Sequence, residues 1–113
     1  MYKYKAKMTK IVDGDTLDAL IDLGFEVHIK RRIRLKGINA PESRTKDLEE
    51  KKLGLAAKRR LEELLGASQG NFVLLSHGLG KYGRCLGEIF IQEGEESINQ
   101  QLINEGHAKE YKS

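Results

Sequence analysis

The chain has 113 residues, 39% of them apolar and 33% charged, with 20 Lys+Arg against 17 Asp+Glu for a net charge of +3. This reads as a single domain over residues 1–113, and the composition excludes disorder throughout. No stretch approaches the roughly 18 apolar residues of a membrane span, and the one cysteine, Cys85, excludes an internal disulfide framework and a multi-cysteine zinc site.

The charge is unevenly spread. Residues 1–36 carry nine Lys/Arg against five Asp/Glu, residues 37–84 nine against six, and residues 85–113 two against six. A basic first three quarters can offer a face to a polyanion despite the modest total. The start, Met1-Tyr2-Lys3-Tyr4-Lys5, lacks an apolar h-region, so the sequence as given reads as cytoplasmic, with a secreted mature form as the alternative.

The elements are read in chain order. Tyr2, Tyr4, Ala6 and Met8 alternate with Lys3, Lys5, Lys7 and Thr9, which predicts a strand. Asp13-Gly14 is a hairpin-turn signal. Leu17, Ala19 and Ile21 form the apolar side of a second strand. Gly24 marks the next turn, and Glu26 to Lys36 reads as a third strand on Val27, Ile29, Ile33 and Leu35. A bend is expected across Lys30-Arg31-Arg32, because a regular strand would put Arg31 on the buried face. Pro41 closes this region.

A helix follows. Asp47 is its expected N-cap, with Glu50 at N3 completing a capping box. Leu53, Ala57, Leu61, Leu64 and Leu65 form one apolar stripe, and Gly66 is the expected C′ residue. Gly54 inside the helix costs up to about 1 kcal/mol relative to Ala, which suggests close packing there. Asn71 to Ser76 and Cys85 to Ile91 read as a fourth and a fifth strand, and Ser97 to Glu105 as a short helix. The fold class is therefore α+β, mainly β. Its layout matches a five-stranded OB-fold Greek-key barrel with one long helix between strands 3 and 4 and a short C-terminal helix.

Three segments place polar groups beside turns at strand ends: Val12-Asp13-Gly14-Asp15-Thr16, Arg34 to Glu42, and Lys81-Tyr82-Gly83-Arg84. Strands distant in sequence can share one barrel rim. Asp15, Arg34, Glu42 and Arg84 gathered there would be costly as fold stabilisers. A metal ion and a phosphate would offset that cost. Gly78-Leu79-Gly80-Lys81-Tyr82-Gly83 spells a dinucleotide fingerprint, but strand signals follow where that motif needs a helix. The three histidines lack metal-ligand spacing.

On these segments the chain resembles the staphylococcal nuclease (thermonuclease) family. The resemblance runs from about Thr9 to Tyr111 and rests on Asp-Gly-Asp-Thr, Arg-Leu-x-Gly-Ile-x-Ala-Pro-Glu, the Gly54/Ala57/Leu61 helix, Lys-Tyr-Gly-Arg and Asn104-Glu105-Gly106-His107-Ala108. It implies an OB-fold phosphodiesterase that uses Ca²⁺ to hydrolyse DNA and/or RNA by in-line attack of water, leaving 3′-phosphates. Single-stranded or frayed substrates are expected, and a monomer. By the resemblance, Asp15 is a metal ligand and Glu42 orients or deprotonates the attacking water; Asp13, beside Gly14, is read as capping the turn or supporting the site from behind. Arg34 and Arg84 clamp the phosphate. Lys81 and Tyr82 contact the terminal phosphate and nucleoside, and Tyr111 is the base-stacking position, with the register drifting there.

Two positions depart from the family. Asn39 stands where a second metal-binding aspartate is usual, and Ala40 replaces a threonine that supplies a backbone carbonyl. An amide oxygen still suits Ca²⁺, but with one charge fewer it predicts weaker binding or a different divalent cation. The alternative reading is a non-catalytic OB-fold module that binds single-stranded nucleic acid.

Overall fold

The computed structural model describes residues 2–79 and 83–111. In chain order the elements are β1 (Tyr2–Asp13), β2 (Thr16–Asp22), β3 (His28–Leu35), β4 (Ile38–Asn39), α1 (Leu48–Gly66), β5 (Asn71–Leu79), β6 (Cys85–Phe90), α2 (Ile98–Asn104) and β7 (Lys109–Glu110). Five strands close into a barrel in the order β1-β2-β3-β6-β5. The β3–β6 pair is parallel and the other four pairs are antiparallel. The expected mainly β, OB-like barrel with two helices is present. The pair β4–β7 is an addition: two residues per strand are too few to show any periodicity.

Closure depends on β1. Its first half pairs with β5 from Tyr2 to Lys7, and its length from Lys5 to Asp13 pairs with β2. Register shifts between Met8 and Lys10 and between Ile11 and Asp13 bend the strand so that it can serve both neighbours. The alternation expected for β2 holds, with Leu17, Ala19 and Ile21 buried. They meet Ile33, Leu35, Leu74 and Ile89, and Ala57, Leu61 and Leu65 of α1 join the same core.

Four local expectations are corrected. β3 has no bend: it pairs with β2 in unbroken register from His28 to Arg34. Arg31 is exposed although it shares the inward face with Ile33, because β6 covers β3 only from Ile33 to Leu35. In α1, Leu53 is exposed and Gly54 takes its place in the buried stripe. Asp47 caps the helix through the Glu49 and Glu50 N–H groups, but its own N–H donates to Thr45 Oγ1 at 3.2 Å, so the capping box is not formed by Glu50. Gly66 lies within the helix. The left-handed backbone falls instead on Gln69 and Gly70, whose N–H donates to the Leu65 carbonyl at 2.8 Å.

Asn99 locks α2 onto the barrel. It is buried, its Oδ1 accepts from the Ile89 N–H at 3.1 Å, and its Nδ2 donates to the Lys36 carbonyl at 2.9 Å and the Gly87 carbonyl at 3.1 Å. The Arg60–Glu105 ion pair ties α1 to the end of α2. No helix among the described residues is long and apolar enough to cross a membrane.

Replacing Asn99 by Leu removes the side-chain partner of the Ile89 N–H and of the part-buried Lys36 carbonyl, while the Gly87 carbonyl keeps the Lys36 N–H at 2.9 Å, so Asn99→Leu should lower unfolding stability by about 2–4 kcal/mol. A urea midpoint equal to wild type would remove Asn99 from this role. The Arg60 guanidinium, chiefly by hydrogen bonding, holds the Glu105 carboxyl below its ordinary value of 4.5. Its contribution to stability is therefore full above that pH and is lost as pH falls through the depressed folded value. Glu105→Gln should lower Tm slightly at neutral pH and not at all in strong acid.

Candidate functional site

Asp15 and Gly14 form the turn between β1 and β2, where Asp13 pairs with Thr16. Gly14 is not at positive φ. It is needed for space: a Cβ there would lie 2.6 Å from Ala57 Cβ and 3.1 Å from Ala40 Cβ. The turn is thus pressed between α1 and the loop after β4, and this aims Asp15 inward.

The Asp15 carboxylate is buried and holds three elements together. Oδ1 accepts from Thr16 Oγ1 at 2.8 Å, and Oδ2 accepts from the Ala40 N–H at 2.8 Å. Arg34 Nη2 lies 3.6 Å from Oδ2, with only 15% of its side chain and 10% of the Asp15 side chain exposed. The Asp15 carbonyl accepts from the Leu35 N–H at 2.8 Å, which fixes the turn to the end of β3. Arg34 Nη1 donates to the Leu35 carbonyl at 2.8 Å, and Nη2 also reaches Asn39 Oδ1 at 3.4 Å. Asp15, Arg34, Asn39 and Ala40 are therefore one connected group.

Asp13 supports the neighbouring loop. Its Oδ1 accepts both the N–H and the hydroxyl of buried Ser43, which fixes the backbone next to Glu42. From the other side Gly54 of α1 touches the same segment. A Cβ at Gly54 would lie 2.3 Å from the Glu42 carbonyl oxygen and 2.7 Å from the Ser43 nitrogen. The Glu42 side chain itself is exposed. Arg84 is half-buried and stands just ahead of β6, two residues before Leu86, the register partner of Arg34. Lys81 and Tyr82 lie outside the described residues.

Tyr111 stands apart from this group. Its N–H donates to the Gly37 carbonyl at 2.8 Å, and it lines a hollow of about 290 Å³ with Lys36, Ile38, Asn99 and Gln100. A second hollow, of about 390 Å³, approaches Asn39 and Ala40 from behind, between Leu53 and Ala56 of α1 and residues 105–109. Asp15, Arg34, Glu42 and Arg84 do not line it.

The oxygens near Arg34 Nη2 are the Asp15 carboxylate and the Asn39 amide oxygen, while the Ala40 backbone meets Asp15 through its N–H. That chemistry fits a hard divalent cation held through few protein ligands, with water completing its shell. Among the described residues no cluster of three or more His, Cys, Asp or Glu side chains could hold a metal. Sequence reasoning missed Ser43 and Thr16 as partners of the two aspartates. Their only signal was position, each being the hydroxyl residue that follows a candidate acid.

The family model described as staphylococcal nuclease homologue matches residues 32–113, more than half of the chain. The match begins after the Asp13–Thr16 turn and includes Arg34, Asn39, Ala40, Glu42 and Arg84. No curated protein sequence matches the chain significantly.

Gly54→Ala weighs two effects of opposite sign. Helix propensity favours Ala by up to about 1 kcal/mol, whereas forcing a methyl into a filled contact costs about 1–3 kcal/mol. The facing atoms are backbone, which cannot swing away, so the variant should be less stable and should displace Glu42. A higher Tm together with an unmoved Glu42–Ser43 segment in its structure would contradict this packing.

Proposed function

We propose that this chain, which belongs to the staphylococcal nuclease homologues, is a metal-dependent nuclease that hydrolyses phosphodiester bonds of DNA or RNA. The observation that carries the reading is the shared guanidinium. Arg34 Nη2 lies 3.6 Å from the Asp15 carboxylate and 3.4 Å from the Asn39 amide oxygen, in a largely buried setting. A cation half-shielded from water and flanked by oxygen donors suits a phosphate that shares its negative charge between the guanidinium and a metal ion.

Asp15, Asn39 and the Ala40 carbonyl are the residues that would hold Ca²⁺ or another divalent cation. When bound, the ion supplies Lewis-acid stabilisation of a phosphate oxygen. Arg34 and Arg84 bind and orient the phosphate and offset the charge that grows on its oxygens. Glu42 positions a water molecule and accepts its proton as the water oxygen attacks phosphorus. The P–O5′ bond breaks in line, its electron pair leaves with O5′, and O5′ takes a proton from solvent, giving a 3′-phosphate and a 5′-hydroxyl. Asp13, through Ser43, and Gly54, through its missing side chain, position Glu42 and are not catalytic themselves. Lys81, Tyr82 and Tyr111 are proposed substrate contacts. A single or frayed strand is the expected substrate, and a monomer the expected state.

A second reading, a binding module without catalysis, draws on Asn39. It removes a carboxylate where a cation would be held, and Arg34 already offsets Asp15.

The test is incubation of the protein with plasmid and heat-denatured DNA in Ca²⁺, Mg²⁺, Mn²⁺ or EDTA. Cleavage is expected with a divalent cation and not in EDTA. Arg34→Ala, Glu42→Ala and Arg84→Ala should each lower turnover by about 10²–10⁴-fold with unchanged circular dichroism. Asn39→Asp should lower the cation concentration needed for half-maximal activity. Retardation without cleavage under every cation would select the binding module.

A further inference from the structure

We infer that the open end of the barrel, where the β2–β3 turn lies beside the start of β1, docks on an anionic membrane surface and seats Phe25 among the lipid headgroups. The turn follows β2 and Asp15 precedes it, so this end is remote from the Asp15 group and the inference does not depend on the nuclease reading. Peripheral docking needs no spanning segment. The first observation is the turn itself. The Val27 N–H donates to the Gly24 carbonyl at 2.9 Å, and the two central residues, Phe25 and Glu26, have φ of 55° and 62°. Two positive φ values in succession are the pattern of a type I′ turn, which Asn, Asp and Gly favour because they tolerate left-handed backbone. A phenylalanine there is strained, and its side chain is 99% exposed. The turn thus carries a strained residue and an unburied ring, neither of which serves the core. Backbone strain of this kind persists at functional sites.

The second observation is the apolar end on which the turn stands. Leu23 lies two residues after buried Ile21, Val27 two before partly buried Ile29, and Tyr2 four before buried Ala6, so alternation puts all three on the inner side of the sheet. Leu79 shares that side, because its register partner is buried Cys85. β1 and β3 begin at this end of the barrel, and β2 and β5 finish there. The core does not reach so far: Tyr2 is 72% exposed and Leu79 75%, and Leu23 and Val27 are about half exposed. The Tyr2 ring leans on the Tyr4 ring, their centroids 6.4 Å apart. Phe25 is therefore the projecting member of a larger apolar end, of the kind that marks an interaction surface.

Charge selects the occupant. Lys5 is in register with Asp22, Lys7 and Lys30 flank Leu20, and Arg31 stands opposite Ala19. These four cations are exposed, and none of them forms an ion pair among the described residues. Of the acids near this end, Asp22 accepts from the Gly24 N–H at 2.8 Å and faces His28 at 3.9 Å, and Glu93 pairs with Lys3 at 3.1 Å. Glu26 in the turn opposes the cations. Lys30 is set back two residues from His28, about 7 Å along the strand. An aromatic tip with cations a short way behind it matches the layers of an anionic bilayer surface, where rings lie at headgroup level and lysines meet lipid phosphates. A second copy of the chain would set the same cations against one another. An acidic protein would match the charge, but a projecting ring needs a preformed pocket in a protein and none in a fluid surface.

The test is cosedimentation of the full chain in EDTA with sucrose-loaded vesicles, made of phosphatidylcholine alone or of equal parts phosphatidylcholine and phosphatidylserine. The wild type should bind the mixed vesicles at least about tenfold more tightly than phosphatidylcholine. Phe25→Asn, which suits the turn better, should hold or raise Tm and yet weaken binding by about ten- to a hundredfold. Lys30→Glu should weaken it by about five- to thirtyfold, and Glu26→Gln should tighten it by about two- to fivefold. The chain has no tryptophan, so Phe25→Trp reports on the tip alone. Its emission should shift to the blue on mixed vesicles and be quenched by brominated lipid. Three results each overturn the membrane surface: a wild type that pellets with neither vesicle, binding unchanged in Phe25→Asn, or Phe25→Trp emission that stays that of an exposed ring in the bound protein. Self-association of the wild type in place of vesicle binding, lost in Phe25→Asn by analytical ultracentrifugation, overturns it in favour of a second copy.

Discussion

The buried carboxylate of Asp15 is the constraint on which the site depends. Isolated in a barrel wall, such a group would be strongly disfavoured. Here a hydroxyl, a backbone N–H and a guanidinium converge on it, from Thr16 at the start of β2, Ala40 after β4 and Arg34 near the end of β3. Each partner belongs to a different part of the chain, so satisfying one side chain fixes the relative positions of all three. Of the proposed ligands, Asn39 is the last residue of β4 and Ala40 follows it, so both are carried along with that strand. The β4–β7 pair then holds this short strand against the end of the chain.

The second constraint is space. Gly14 and Gly54 lie where α1 meets the two loops that carry the acids, and any side chain at either position would displace a neighbour. Asp13 closes the same arrangement from the barrel side by binding Ser43. The Glu42 backbone is therefore held between a helix that can come close only because it lacks a Cβ and an aspartate that bonds the next residue. The exposed side chain of Glu42, the proposed general base, extends from backbone held on both sides. Rigidity is achieved with small residues and backbone contacts, so it leaves little trace in hydrophobic patterning.

What the sequence made legible follows from that difference. Period-two alternation located β1, β2 and the inner side of β3, since burial of Leu17, Ala19 and Ile21 depends on the strand's own pleat. The long helix was also legible, but its face was turned by about one position. Leu53 is more apolar than Gly54, yet the helix must approach backbone at that point, so the smaller residue is buried and the leucine exposed. Arg31 misled for a related reason: alternation gives the face of a strand, not how far its neighbours cover it. Of Asp15, Arg34, Glu42 and Arg84, the four expected to gather, Asp15 and Arg34 are 3.6 Å apart, and Asn39 and Ala40 join that pair at the end of β4. Ser43 and Asn99 were invisible, since a buried hydrogen-bonding residue has no periodic signature. Tyr111, placed by position near the chain's end where the register drifts, lies in a hollow beside α2.

Charge balance explains why Asn39 is compatible with the proposed chemistry. Asp15 and Glu42 contribute two negative charges, and Arg34 and Arg84 two positive ones, so the proposed set is neutral before any cation binds. An aspartate at position 39 would make it anionic, holding a cation more tightly but repelling phosphate until that cation arrives. With asparagine the amide oxygen already faces Arg34 without adding charge. In the proposed chemistry a neutral set would hold a cation less tightly and repel an approaching phosphate less.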